Sequence, residues 1–130
     1  MAGLVAIVND NTDFLDLMEE LLEGEGYQAK TYMVAQDAYH QLLADRPRLI
    51  IVDIRMETPE AGWQLIELLR LNPQTRPTPI IVCSADAHAL QAKAAHLRER
   101  DCDVLQKPFD LDDLLAKVEV ALAAPPAERA

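Results

Sequence analysis

Apolar and polar residues follow each other along this chain in blocks, and the period of the blocks changes between strand and helix. Leu4 to Val8 is a short apolar run that stops at Asn9 and Asp10. Phe14, Leu15, Leu17, Met18, Leu21 and Leu22 then recur at helical spacing, with Asp13, Asp16, Glu19, Glu20 and Glu23 between them. That is the pattern of an amphipathic helix with an acidic outer face. Gly24 and Gly26 are placed to stop it, because glycine takes positive φ without a steric cost. Tyr27 to Tyr32 reads as the next strand, and Val34 to Asp45 as a second helix closed by Pro47.

Leu49 to Val52 is an unbroken branched run that exits at Asp53. Such a run suits a strand buried on both faces, which belongs to a parallel sheet covered by helices on each side. A loop from Ile54 to Ala61, holding Pro59, leads to Gly62 and a helix with Leu65, Ile66, Leu68 and Leu69 on its apolar stripe. Pro73, Pro77 and Pro79 fence off a second buried run, Ile80 to Cys83, which ends at Ser84. The alanine-rich stretch from Asp86 to Arg100 has high helix propensity but few large apolar anchors, and is expected to be the least firmly packed helix. Val104 and Leu105 form a short last strand before Lys107, Pro108 and Phe109. Asp110 is the expected N-cap of a final helix, with Asp112 and Asp113 in its first turn and Leu111, Leu114, Leu115, Val118 and Leu122 on its buried face. Pro125 and Pro126 end it, so residues 1–124 read as one domain and 125–130 as a tail or the start of a linker.

About five strands and five helices thus alternate strictly. Parallel crossovers need covering helices, so the expected fold is α/β: a doubly wound five-stranded parallel sheet with helices on both faces. A chain of 130 residues, half of them hydrophobic, can bury one core without disulfides or metals. Its formal charge of -10, from 22 acidic and 12 basic side chains, argues against a nucleic-acid surface and for a protein or small-molecule partner. Neither a membrane span of about 18 apolar residues nor a signal peptide is visible, and a cytoplasmic location is expected. Cys83 and Cys102 lack redox or zinc spacing and read as a buried thiol and a loop thiol. His40, His88 and His96 lack metal-ligand spacing and are assigned to helix surfaces.

In a parallel sheet the carboxyl ends of the strands lie side by side, and ligands bind in the crevice beyond them. Asp10, Asp53, Ser84 and Lys107 all fall at such ends. Only four glycines are present and none forms a Gly-rich turn after the first strand, so P-loop and dinucleotide chemistry drop out. Cys83-Ser84-Ala85 is not a glycine-flanked nucleophile elbow. The remaining set suits phosphoryl chemistry on a carboxylate. Asp10 and Asp53 can serve Mg²⁺, Asp53 can act as nucleophile, Lys107 can balance charge, and Ser84 can donate to a phosphoryl oxygen. Taken singly, each has an ordinary role: Asp10, Asn11 and Thr12 as a capping cluster, Lys107 as a surface lysine before a turn, Ser84 as an N-cap, Trp63 as a packing residue.

Four segments in order resemble the response-regulator receiver domains of bacterial two-component signalling. They are Val8-Asn9-Asp10, Ile51-Val52-Asp53-Ile54-Arg55-Met56, Pro79 to Ala85, and Lys107-Pro108-Phe109, and the likeness spans roughly residues 4–124. The resemblance implies a flavodoxin-like receiver fold and a signalling switch that is not an enzyme. It implies that Asp53 accepts a phosphoryl group from a sensor histidine kinase or phosphotransfer protein, with Mg²⁺ held by Asp10, Asp53 and the Arg55 carbonyl. Lys107 would pair with the phosphate, Ser84 would move to bind it, and Pro108 would follow a cis peptide bond. An output protein, no direct nucleic-acid or membrane contact, and a monomer or weak dimer complete the expectation.

Three departures accompany the likeness. Asn9 stands where the family usually has a second acid, so Mg²⁺ should bind more weakly and Asp53 should meet less like-charge repulsion, while the amide oxygen could order a metal-bound water. Glu57 replaces a usual proline and Gly62 comes one residue late, which lengthens the loop after Asp53. Val104 replaces the usual aromatic residue three before the lysine. A phosphorylation-independent pseudo-receiver is therefore the alternative. An Mg²⁺-dependent aspartyl-phosphate phosphatase is a third reading, opposed by Arg55 where a second acid is needed.

Overall fold

The structure is a computed structural model that describes residues 4–33, 35–53, 61–84, 87–100, 102–107 and 109–123. Five strands, β1 (Leu4–Val8), β2 (Gln28–Tyr32), β3 (Leu49–Asp53), β4 (Ile80–Ser84) and β5 (Cys102–Gln106), form one sheet in the order β2-β1-β3-β4-β5. Every neighbouring pair is parallel. Six helices occur among the described residues: α1 (Thr12–Gly24), α2 (Ala35–Asp45), α3 (Ala61–Leu71), α4 (Ala87–Ala92), α5 (Ala94–Glu99) and α6 (Leu111–Ala123).

Strand side chains alternate between faces with a period of two, and here the alternation sorts them into two cores. Val5 and Ile7, Leu49 and Ile51, and Ile81 and Cys83 pack with Leu15, Met18 and Leu22 of α1 and Leu114 and Val118 of α6. Their neighbours Ala6 and Val8, Ile50 and Val52, and Ile80 and Val82 pack with Ala38 and Leu42 of α2, Leu65, Ile66 and Leu69 of α3, Leu90 of α4 and Leu97 of α5. All residues of β3 and β4 are buried, as the unbroken runs require. The edge strands are cut differently: β2 exposes Gln28 and Lys30, and β5 exposes Asp103 and Gln106. Lys30 on an outer strand opposes edge-to-edge pairing with another chain.

Helix ends follow local chemistry. Asn11 is the N-cap of α1, its side chain accepting from the Phe14 N–H at 3.1 Å. At the other end Gly24 is still helical, and Gly26 takes φ 92° to turn the chain into β2. Arg46 takes φ 53° before Pro47, a left-handed conformation that ends α2 and that non-glycine residues adopt at some cost. Asp110 caps α6 as expected, accepting from the Asp113 N–H at 2.8 Å.

The apolar stripes are narrower than the periodicity suggests. Leu17 of α1, Leu68 of α3 and Leu111 of α6 face outward, at 52%, 43% and 37% exposure. A helix face against a sheet covers little more than about a third of the circumference, and these residues lie at its margin. Cys102 begins β5 and is half-buried, so it belongs to a strand and not to a loop.

The single helix expected over Asp86 to Arg100 is instead two short ones, interrupted at Lys93, whose backbone leaves helical geometry at φ -106° and ψ 11°. Alanine propensity favours continuity, but among the described side chains of this stretch Leu90 and Leu97 are the core anchors, and contacts to α3 dictate its path. The Lys93 ammonium lies 5.8 Å from the Trp63 ring centroid, and His96 meets the same ring edge-on at 6.1 Å. Glu67 of α3 receives His96 Nε2 at 2.9 Å and Arg100 Nε at 2.7 Å. His96 is thus half-buried in an interhelical cluster, while His40 and His88 are exposed.

Arg70, also on α3, organises the proline-bounded turn before β4. Its Nη1 donates to the carbonyls of Arg76 at 2.8 Å and Thr78 at 2.7 Å, and its Nε to the carbonyl of Arg100 at 2.6 Å. One guanidinium therefore ties the entrance of β4 to the entrance of β5. Charge-assisted bonds of this kind are each stronger than a neutral one, and their loss would untie the turn from the start of β5. Arg70→Ala is expected to lower unfolding free energy by about 3 kcal/mol, read as a fall in the urea midpoint at unchanged slope.

Hydrogen bonding from Arg100 holds the Glu67 carboxyl below its ordinary value of 4.5, aided by the charges of Arg100 and His96 and opposed by burial. A carboxyl depressed in the folded state stabilises the fold above its unfolded pKa, and that contribution disappears as pH falls through the lower folded value. The stability gap between the wild-type chain and Glu67→Gln should therefore be largest near neutrality and shrink as pH falls below 4.5, as urea titrations at a series of pH values would record.

Candidate functional site

β1 lies between β2 and β3, so successive connections leave it in opposite directions, and the order reverses at the β1/β3 boundary. A crevice opens there beyond the carboxyl ends of the strands. The register pairs Val8 with Val52, which sets Asn9 and Asp53 side by side at its floor.

Asp53 is the last residue of β3 and is 8% exposed. Its Oδ2 accepts from Lys107 Nζ at 2.7 Å and from Asn9 Nδ2 at 2.9 Å. Removing a carboxylate from water is costly unless a cation and hydrogen bonds replace the lost solvation, and these two donors supply both. Lys107 comes just after β5, where its backbone N–H donates to the Ser84 carbonyl at 2.8 Å and extends the β4–β5 ladder by one rung. Its ammonium also lies 4.3 Å from the centroid of the Phe14 ring, a cation–π contact made by the first turn of α1.

Ser84 is the buried last residue of β4, one position beyond the Asp53–Cys83 pair. Asp10 follows Asn9 at the β1 exit and is exposed. The structure therefore brings Asn9, Asp53 and Lys107 into direct contact, ties Ser84 to Lys107 through the backbone, and leaves Asp10 at the mouth. Arg55, Met56, Glu57, Pro59, Pro108 and the tail after Ala123 lie outside the described residues, and with them the carbonyl ligand, the lengthened loop and the cis bond expected from sequence. Among the described residues Asp10 and Asp53 offer carboxylate oxygens to a cation, and no three His, Cys, Asp or Glu side chains gather as a fuller metal cluster would.

Two contacts were invisible to sequence reasoning. Phe14 reads as one more apolar position of α1, and nothing in its spacing signals a lysine from the segment after β5 above its ring. Asn9 reads as a missing acid, whereas its amide is a direct partner of Asp53. Val104 is half-buried on β5 opposite Val82, and lines a groove of about 360 Å³ with Leu90, Ala94 and Leu97.

A doubly wound parallel sheet with a carboxylate–ammonium pair at its switch point defines the class, and comparison defines the family. Residues 5–119 match the response regulator receiver domain family. The chain belongs to that family, whose members work in two-component systems. It is 33% identical over 124 residues to the nitrogen assimilation regulatory protein NtrX of Azorhizobium caulinodans, which covers 94% of this chain but 26% of that protein. It is 30% identical over 122 residues to the response regulator ArlR of Staphylococcus aureus, covering 94% of this chain and 53% of ArlR. The receiver domain of NtrX from Brucella abortus superposes with a TM-score of 0.82 at 26% identity, over 93% of this chain and 99% of that one. The Vibrio cholerae chemotaxis protein CheY4 shares the fold, with a TM-score of 0.84 at 22% identity over 94% of this chain and 100% of that one. The chain spans about a quarter of the length of the NtrX and NtrC proteins it matches.

Burial pushes the Cys83 thiol, next to the site on β4, up to about 12; the nearby Asp53 charge adds to the rise and Lys107 opposes it. A thiol so held is inert, since the thiolate is the nucleophile. Iodoacetamide under native conditions is therefore expected to label Cys102 and spare Cys83, with peptide mass spectrometry locating the adduct; Cys102→Ala should remain unlabelled until unfolded.

Proposed function

We propose that this chain is a phosphorylation switch in which Asp53 accepts a phosphoryl group from a sensor histidine kinase or phosphotransfer protein, and in which the change in charge at the crevice controls a protein partner. The observation that carries the reading is the 2.7 Å contact between Lys107 and Asp53 at the strand-order reversal. It poises a cation beside a nucleophilic carboxylate in the crevice at the carboxyl ends of the strands.

In the transfer, an Asp53 oxygen attacks phosphorus, an acyl–phosphate P–O bond forms, and the P–N bond to the donor imidazole breaks. The electron pair leaves with the imidazole. Lys107 is positioned to pass from the Asp53 carboxylate to the phosphoryl oxygens, so that charge developing on the transferring group meets a cation already in place. Ser84, tied to Lys107 by the β4–β5 ladder, is the hydroxyl donor for the same oxygens. The donor set fits Mg²⁺, a hard ion that takes one or two carboxylates and keeps several waters; Asp10 and Asp53 would hold it, with the Arg55 carbonyl, and it would supply neutralisation of the phosphoryl charge. Asn9 Oδ1 accepts from the Asn11 N–H at 2.9 Å and retains a second lone pair for a metal-bound water.

Phosphorylation adds charge and strong acceptor oxygens, and its effect is to bias two nearby conformations. The chain would act in the cytoplasm as a non-enzymatic switch, as a monomer or weak dimer. No helix among the described residues is long and apolar enough to cross a membrane.

The test is intact mass after incubation with acetyl phosphate and Mg²⁺. A single phosphoryl-sized adduct is expected on the wild-type chain and none on Asp53→Asn, with Lys107→Ala slowing its formation by about a hundredfold. No adduct at any Mg²⁺ concentration would favour the phosphorylation-independent pseudo-receiver. Rapid consumption of the donor would indicate a phosphatase.

A further inference from the structure

We propose that Asn9 is a positioning residue that holds the Asp53 carboxylate in place without a divalent cation, doing with a neutral amide what an acid at this position could do only through a bound metal. The proposal rests on the reading of Asp10 and Asp53 as the metal-facing carboxylates, and not on phosphoryl transfer itself.

The orientation of the amide is dictated from both ends. Asn9 Oδ1 accepts from the Asn11 N–H at 2.9 Å, which turns Nδ2 toward Asp53 Oδ2, also at 2.9 Å. The Asn9 backbone N–H donates to the Tyr32 carbonyl at 3.0 Å, continuing the β1–β2 ladder. At 1% exposure the side chain has no room in which to exchange these partners for water. The amide is thus a fixed donor, aimed at the same oxygen that Lys107 engages.

A carboxylate at position 9 could still accept from Asn11, but it has no proton to offer Asp53 at neutral pH. Two anionic oxygens would then face each other at hydrogen-bond distance in a nearly buried site, where Asn9 now offers Asp53 a proton. Like charges so close repel each other, and a cation held between them relieves the repulsion. With an acid, the arrangement of the acceptor would depend on the metal; with Asn9 it is already set. The amide therefore uncouples the geometry of Asp53 from Mg²⁺ and lowers the gain from binding it.

Thermal melts of the whole chain in EDTA and in millimolar Mg²⁺ test this without any phosphodonor, so failure of the transfer reaction and failure of the clamp are separate results. Asn9→Asp is expected to melt lower than wild type in EDTA by about 5 °C or more, and to regain most of the loss with Mg²⁺. Asn9→Ala should also melt lower in EDTA and regain little. The swap Asn9→Asp with Asp53→Asn restores one amide facing one carboxylate, and should melt above Asn9→Asp in EDTA even if that single variant does not fold. A swap no more stable than Asn9→Asp, or an Asn9→Asp chain as stable in EDTA as wild type, would overturn the proposal.

Discussion

The whole arrangement depends on burying β3 and β4 on both faces. Fully burying a large aliphatic side chain contributes about 1.5–3 kcal/mol relative to leaving it exposed, whereas an unpaired buried polar group costs about 1–3 kcal/mol. Along Leu49 to Val52 and Ile80 to Cys83 that balance leaves no place for a polar residue. Polar chemistry is admitted only where the strands end. Because the strands are parallel, those ends coincide, and residues far apart in sequence meet without any local motif joining them.

What the sheet delivers to its edge, a small group of contacts then converts into a site. Asp53 Oδ2 is the joint at which β1, β3 and the segment after β5 are tied by side chains, through Asn9 and Lys107. Phe14 extends the joint to α1, and the Lys107 N–H to Ser84 carbonyl bond extends it to β4. A change of charge on Asp53 is therefore felt by several elements at once, which is the physical requirement for a switch. On the opposite side of the sheet, α3 carries a second organising set. Trp63, Glu67 and Arg70 fix α5, the turn before β4 and the start of β5, so that the strands bearing Ser84 and Lys107 enter the sheet at fixed positions.

Family membership and pocket geometry bear on different questions. The match over residues 5–119 establishes what kind of domain this is, while its NtrX-type relatives are about four times its length and their activities belong to those longer chains. The pocket carries the chemistry particular to this chain. Asn9 places an amide beside an ammonium on a single Asp53 oxygen, and that feature is local, physical and accessible to substitution.

Sequence alone determined the elements whose signal is local. Branched apolar runs with a period of two faces, amphipathic stripes, and caps such as Asn11 and Asp110 marked ten elements in order, and alternation of strand and helix dictated a parallel sheet. It also pointed to the strand ends that bear Asp53, Ser84 and Lys107, because the carboxyl ends of the strands in such a sheet lie side by side. Tertiary structure alone decided what pairing across the fold controls. The break at Lys93 came from Trp63 and Glu67 overriding alanine propensity, and the outward turn of Leu17, Leu68 and Leu111 from the limited width of a helix–sheet contact. The cation–π contact of Phe14 with Lys107 and the amide of Asn9 on Asp53 belong to the same class. Each joins residues whose separation in sequence carries no periodic signal, and each is set by side-chain direction at distances of a few ångströms, which composition and spacing do not encode.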